Sequence, residues 1–225
     1  MLILWKINYI ILTLDVRFLY MKKDPRETEK ALIEVAREQE GYFTAAQALS
    51  VGYTYRQQHH HKSRGNWEYI DHGVYRLRTF PGSEYEDLIR WSLWSRNRRG
   101  EIQATISHET ALAIHDLGDV MPSKTHLTVP PGFRKKIPGG CILHKAVLQP
   151  NETEHRRGFN VTTPLRTLLD MTNSFISQDL LEGAVRDALK RGVVQRKQLL
   201  LNDLQDDAKA KIHAALKTVE RMEVG

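Results

Sequence analysis

Apolar positions along the first third of the chain follow two rhythms. Over 26–39, Ala31, Leu32, Val35 and Ala36 share one side at helical spacing, which predicts an amphipathic helix that Gly41 stops. Tyr42-Phe43 reads as a short extended piece. Thr44 is placed to cap a short helix over 45–49, and Thr54 to cap a third over 55–64, which Gly65 ends. Residues 67–70 and 74–77 then alternate on either side of Asp71-His72-Gly73, the pattern of a β-hairpin. Helix, short strand, helix, turn, helix and hairpin is the order of a winged helix-turn-helix. Such a unit lays its third helix in the major groove and its hairpin along the backbone or minor groove. Pro81-Gly82 reads as a boundary.

Beyond it the rhythm changes. A helix is expected over 84–98, with Tyr85, Leu88, Ile89 and Leu93 on one face. Another should be capped by Ser107, carry Leu112, Ile114 and Leu117, and end at Gly118. Strands are expected over 124–129, 141–148 and 159–161. A basic loop over 133–137 and the turn Pro138-Gly139-Gly140 separate the first two. Pro164 favours a helix start, with Leu165, Leu168 and Leu169 inside. Ser177 should cap a helix burying Leu180, Leu181, Ala184, Val185 and Leu189, and 195–222 reads as amphipathic helix. The fold class is therefore α+β: a winged helix-turn-helix over 21–80, an α+β domain of short strands flanked by helices over 83–200, and a helical tail over 201–225.

Residues 1–20 differ from the rest. They are strongly apolar, with only Lys6, Asp15 and Arg17 charged. Their longest near-apolar run, 7–14, falls short of the roughly 18 residues that span a bilayer. The Asp15 and Arg17 interruption and bulky Phe18-Leu19-Tyr20 do not make a signal peptide. The expectation is an extension upstream of an initiator at Met21.

Charge sharpens the picture. The chain carries 33 basic and 27 acidic residues, a net +6, which permits a nucleic-acid partner without requiring one. Within 53–80 the bases Arg56, Lys62, Arg64, Arg76 and Arg78 face only Glu68 and Asp71. The third predicted helix, Tyr55-Arg56-Gln57-Gln58-His59-His60-His61-Lys62-Ser63-Arg64, holds hydrogen-bonding groups almost throughout and no acid. Arg can fork onto guanine, Gln onto adenine, and Lys or Ser onto phosphate. That helix must still bury one face, and only Tyr55, Gln58, His61 or the Lys62 stem is available to do so.

Other chemistry is thinly represented. Three successive histidines point about 100° apart on a helix and do not converge on one ion, so no metal is expected. His115, His126 and His144 read as core or surface residues. No phosphate-cradling glycine loop and no nucleophile elbow appears, Cys141 is the single cysteine, and no cofactor is expected. One cysteine fits a reducing cytoplasm. Arg166 and Asp170, four apart on one helix, can form an ion pair.

Several segments resemble AbiEi-type antitoxins. In the first half they are Gly41-Tyr42-Phe43-Thr44-Ala45-Ala46-Gln47-Ala48, Gly52-Tyr53-Thr54-Tyr55-Arg56, Gly65-Asn66-Trp67 and His72-Gly73-Val74-Tyr75-Arg76-Leu77. In the second they are Ser107-His108-Glu109-Thr110-Ala111-Leu112, His126-Leu127-Thr128-Val129-Pro130 and Thr162-Thr163-Pro164-Leu165-Arg166-Thr167-Leu168-Leu169-Asp170. The resemblance spans roughly 27–200 and leaves out the first twenty residues. It implies a type IV toxin–antitoxin component of abortive phage infection. The winged helix would repress the module's own promoter, and the second domain would counteract a nucleotidyltransferase toxin without need of a stable complex. Carried over by position, Thr54, Tyr55, Arg56, Gln57, His59, His60, Lys62, Ser63 and Arg64 would meet DNA from the reading helix. His72, Arg76 and Arg78 would do so from the wing, and Arg166 and Asp170 match the second-domain motif. Relatives often carry an aliphatic residue late in the reading helix, where this chain has His60, His61 and Lys62. A homodimer on double-stranded DNA is expected, since one winged helix often needs a second copy for a full site.

Two other function classes share part of this pattern. Similar segments precede very-short-patch-repair-like endonuclease domains; the 25 residues after 200 cannot hold one, so on that reading the chain would be a remnant of such an endonuclease. A protein-interaction winged helix fits the element order but not the acid-free third helix.

Overall fold

The computed structural model describes residues 24–137, 139–174, 177–201 and 204–224; the apolar extension and Met21 lie outside the described residues. Helix α1, Pro25–Arg37, starts where expected: Asp24 accepts the Arg26 N–H at 2.9 Å, and Pro25 occupies the first turn. Its buried side carries Leu32 and Ala36. The chain then turns through Gly41 at φ +95°, where a Cβ would lie 2.4 Å from Cβ of Phe80.

Strand β1, Tyr42–Thr44, leads into α2, Ala45–Val51, and α3, Tyr55–Ser63. Strands β2, Trp67–Asp71, and β3, Val74–Leu77, form the expected hairpin, and β1 pairs with it in the order β1-β3-β2. Phe43, Tyr53, Trp67 and Leu77 join Leu32, Ala36 and Ala48 in one apolar cluster.

The second half is α+β. Helix α4, Glu86–Trp94, is shorter than its apolar pattern. Ser95 ends it by offering a competing partner: its hydroxyl accepts the N–H groups of Gln103 and Ala104 and donates to Ser92 O. Five strands follow: β4, Thr105–Ile106; β5, Thr125–Val129; β6, Cys141–Lys145; β7, Thr153–Arg156; and β8, Phe159–Thr162, in the order β6-β5-β4-β8-β7. The two strands absent from the sequence reading are β4, too short to show alternation, and β7, a polar edge. Helices α5, His108–His115, α6, Pro164–Thr172, and α7, Gln178–Lys190, pack with α8, Arg196–Leu200, and α9, Asp206–Val224. The helix expected over 195–222 is thus two helices, and α9 buries Ile212, Ala215, Leu216 and Val219 against α6 and α7. Among the described residues no helix is long and apolar enough to cross a membrane.

The apolar core runs across Pro81-Gly82. Tyr42 of β1 and Val74 of β3 share a cluster with Ile89, Trp91, Leu127 and Phe159. The Tyr42 hydroxyl donates to Glu86 at 2.6 Å, and burial with that carboxylate beside it pushes its pKa up to about 12. Arg96 donates to the Gln39 side chain at 2.6 Å.

Replacing Gly41 by Ala should lower unfolding stability by about 3 kcal/mol, because a positive φ and a clash with Phe80 add together. Gly192→Ala, at φ +67° with open space around it, should cost only about 1–2 kcal/mol. Urea unfolding of the two variants measures the difference, and equal losses would contradict the packing at Gly41.

Candidate nucleic-acid interface

Two capping boxes set the helix pair. Thr44 with Gln47 caps α2, and Thr54 with Gln57 caps α3, each threonine accepting an N–H while the glutamine side chain reaches back. Gly52, at φ +121°, makes the turn between them. Helix α3 has no aliphatic side chain to bury, and it docks through polar and aromatic ones instead. Gln58, the one buried residue of the helix, donates from Nε2 to Ala45 O at 3.2 Å. The His61 ring stacks on Trp67, with centroids 5.0 Å apart and planes 16° off parallel, and meets the Tyr53 ring edge-on. Burial lowers the His61 pKa, so the imidazole packs as a neutral ring. Each such ring pair adds about 0.5–1.5 kcal/mol beyond area burial. Lys62 lays its ammonium 4.5 Å from the Tyr69 ring centre. Of the four side chains offered by the sequence, Gln58, His61 and Lys62 make contacts, while Tyr55 stays 72% exposed.

With Gln58 and His61 inward, the helical period turns Arg56, His59, His60 and Ser63 outward, with Tyr55 and Arg64 at the flanks. All of these are exposed, as are Thr54, Gln57 and Lys62. No acid lies between 54 and 67. Two of the residues have local duties: the Gln57 carbonyl oxygen serves the cap, and Ser63 donates back to His59 O at 2.8 Å. The rings of His60 and His61 sit 6.0 Å apart and 83° from parallel, and among the described residues no cluster suits a metal ion. On the hairpin, His72 and Arg78 are exposed. Arg76 stands apart from the expected set. Its guanidinium is held by Glu68 on β2, its side chain is 15% exposed, and it braces the sheet rather than facing outward.

The second half gathers a different set of groups. Arg166 donates from Nε to Asp170 at 2.7 Å and from Nη1 to Glu152 at 2.9 Å. Burial lifts the Asp170 carboxyl to about 6 despite Arg166 beside it, and its Oδ2 is buried without a hydrogen-bond partner. Glu152, absent from the sequence reading, arrives from the short turn before β7; no spacing connects it to Arg166. Three imidazoles meet beside this group. His108 stacks on His144 at 3.5 Å, and His144 Nε2 lies 3.2 Å from His126 Nδ1. The Ser107 hydroxyl, expected to cap α5, makes no cap bond; it accepts from Thr128 at 2.8 Å and lies 2.9 Å from His108 Nδ1. Burial and the neighbouring imidazoles lower His108 to about 3 and His144 to about 4. The stack is therefore neutral at physiological pH. Of the three histidines read as core or surface residues, His115 and His126 are buried and His144 is half-buried; the part of His108 was missed, since only the fold brings it onto His144.

No family model matches the chain, and no curated protein matches it. Among solved structures it is similar to the crystal structure of the RV2827C protein from Mycobacterium tuberculosis, with a TM-score of 0.54 and 13% identity over 88% of this chain and 78% of that one. At that identity the likeness shows a shared fold alone.

The imidazole stack predicts a pH dependence. His108 and His144 have folded pKa values below the ordinary 6.5, so the stability they give is full above pH 6.5 and is lost as pH falls toward 4. Asp170, raised from 3.8 to about 6, works the other way over pH 6 to 4. Two imidazoles outweigh one carboxyl, and His61, His115 and His126 shift in the imidazoles' direction. Stability should fall between pH 7.5 and 5, each stacked imidazole contributing up to about 1.4 kcal/mol per pH unit. His144→Gln should flatten that fall in urea melts, and a pH-independent midpoint in the unaltered protein would contradict the stack.

Proposed function

We propose that residues 25–80 act as a winged helix-turn-helix that reads double-stranded DNA with α3, and that the chain is an autorepressor and antitoxin of a type IV toxin–antitoxin module. The observation that carries the DNA reading is the outward face of α3. It presents Arg56, His59, His60 and Ser63 on a capped helix that itself carries no acid, while the opposite side is anchored by Gln58 and His61. Arginine on such a helix can fork onto guanine, and His72 and Arg78 on the hairpin suit backbone phosphates. A dimer would place two reading helices on two half-sites. The antitoxin half rests on the AbiEi-like segments of the second domain, in which the motif residue Arg166, half-buried, pairs with buried Asp170 and with Glu152. Its target would be a nucleotidyltransferase toxin encoded in the same module.

Gel retardation of the protein's own upstream DNA over a salt series tests the repressor. The expected outcome is retardation that weakens steeply with salt and prefers the upstream sequence over random DNA. Arg56→Ala should lose about 1–3 kcal/mol of that preference. No preference for upstream DNA in the unaltered protein would sink the repressor. Co-expression with the neighbouring nucleotidyltransferase tests the antitoxin: growth should be restored, and Arg166→Ala should abolish the rescue. Binding to the toxin with no retardation of DNA would favour a protein-interaction module instead.

A further inference from the structure

A cavity of about 440 Å³ lies beside the C-terminal end of α3, between α1, the turn that precedes α3 and the end of the hairpin. Small-molecule sites span about 300–1,000 Å³, so the space suits a compact ligand. Leu32 and Ile33 of α1 and Leu77 of β3 give it apolar walls. Tyr53, His61 and Trp67 add three rings with centroids 5.0–5.3 Å apart.

Three polar groups lining this cavity lack partners. Tyr53 is only 6% exposed, yet its hydroxyl makes no hydrogen bond among the described residues. A buried hydroxyl left unpaired costs about 1–3 kcal/mol. Burial and the nearby Glu29 carboxylate raise the Tyr53 pKa, so the hydroxyl keeps a proton to donate. Glu29 of α1 has no ion pair among the described residues, and neither has Arg78, which follows β3. Nη1 of Arg78 lies 4.0 Å from where a Cβ on Gly65 would stand, which sets the guanidinium beside the turn that closes α3. Two opposite charges thus line one cavity without pairing with each other. An anion alone would be repelled by Glu29, and a cation alone would be repelled by Arg78. A molecule carrying both charges satisfies both residues, and its ring contacts would add about 0.5–1.5 kcal/mol each beyond area burial.

We infer that this cavity binds a small zwitterion with an aromatic body, the chemical class of an aromatic α-amino acid, with its ammonium on Glu29, its carboxylate on Arg78 and its ring against Tyr53 and His61. A consequence for DNA follows, and that part rests on the DNA reading of α3. His61 anchors α3 through its stack on Trp67, and Arg78 is a wing cation suited to a phosphate. A bound zwitterion occupies Arg78 and presses on His61, so it weakens the hold on DNA.

Isothermal titration calorimetry of the full chain, without DNA, tests the site. The probes are L-phenylalanine, L-tyrosine and L-tryptophan; phenethylamine and hydrocinnamate serve as controls that each lack one charge. At least one of the amino acids should bind saturably, one molecule per chain. Each control should bind about tenfold or more weaker, as expected for the loss of one charge-assisted hydrogen bond. Glu29→Gln should remove the preference over hydrocinnamate, and Arg78→Gln the preference over phenethylamine. Both side chains are exposed, and thermal melts should show both variants folded. Tyr53→Phe should weaken binding while leaving the melting temperature of the unliganded protein unchanged or raised, because its hydroxyl has no partner to lose. No saturable binding of any of the three amino acids at millimolar concentration would overturn the inference, as would controls that bind equally well. Fluorescence anisotropy with the upstream duplex then tests the consequence. The amino acid that binds, at saturation, should make the slope of log K against log salt shallower by about 0.9, one phosphate contact. Glu29→Gln should bind DNA normally and show no such response. Calorimetric binding with an unchanged slope would overturn the effect on DNA and leave the site standing. If the unaltered protein binds no DNA, the DNA reading fails, and calorimetry alone decides the site.

Discussion

The stacking of His61 on Trp67 is the contact on which the candidate surface of α3 depends. A helix that offers every outward position to a polar partner has little left to hold it in place. In α3 the anchoring is done by one buried amide, one neutral imidazole and one lysine lying on a ring. Each is weak beside a buried leucine, which contributes about 1.5–3 kcal/mol. Together, on the aromatic platform of Phe43, Tyr53, Trp67 and Tyr75, they fix the rotation of the helix about its own axis. That rotation decides which histidines face outward. His59 and His60 do, and His61 does not, although the three are adjacent and chemically identical.

The second constraint is the continuity of the core. Tyr42 and Val74 belong to the small three-stranded sheet, yet they bury their side chains with those of α4 and the five-stranded sheet. The Tyr42–Glu86 and Gln39–Arg96 hydrogen bonds lie on that seam. The loop after α4 is consequently tied to Gln39 rather than swinging on a linker, and the loop after β5 is latched to it through Lys135. Within the second sheet, apolar side chains fill one face, while Ser107, His126, Thr128 and His144 form a hydrogen-bonded layer on the other. Such a layer costs free energy unless its members are satisfied, and the neutral imidazoles meet that condition.

Much of this was legible in the residues. The capping threonines Thr44 and Thr54 and the turn at Gly73 marked α2, α3 and the hairpin within a residue or two, because these are local signals. The absence of acids on α3 singled out the candidate face. What escaped were features created only by the fold. Strand β1 joins the hairpin through pairing with β3, and nothing in Tyr42-Phe43-Thr44 announces it. Arg76 looked like a wing cation until Glu68 appeared opposite it across the hairpin. Glu152 meets Arg166 only because the turn before β7 passes the start of α6. The basic loop over 133–137 was visible, but its partner, the loop from Ser95 to Glu101, sits some forty residues away in sequence. The two meet through a lysine bonding to main-chain carbonyls.

The orientation of α3 on DNA is the central claim, and histidine modification mapped by mass spectrometry tests it most directly. Diethyl pyrocarbonate would be applied to the full chain with and without saturating upstream duplex, with exposed His213 on α9 as the reference. The account predicts that DNA protects His59 and His60, that His213 reacts equally in both conditions, and that stacked His61 reacts slowly throughout. His59 and His60 reacting as fast with DNA bound as without it would contradict the account.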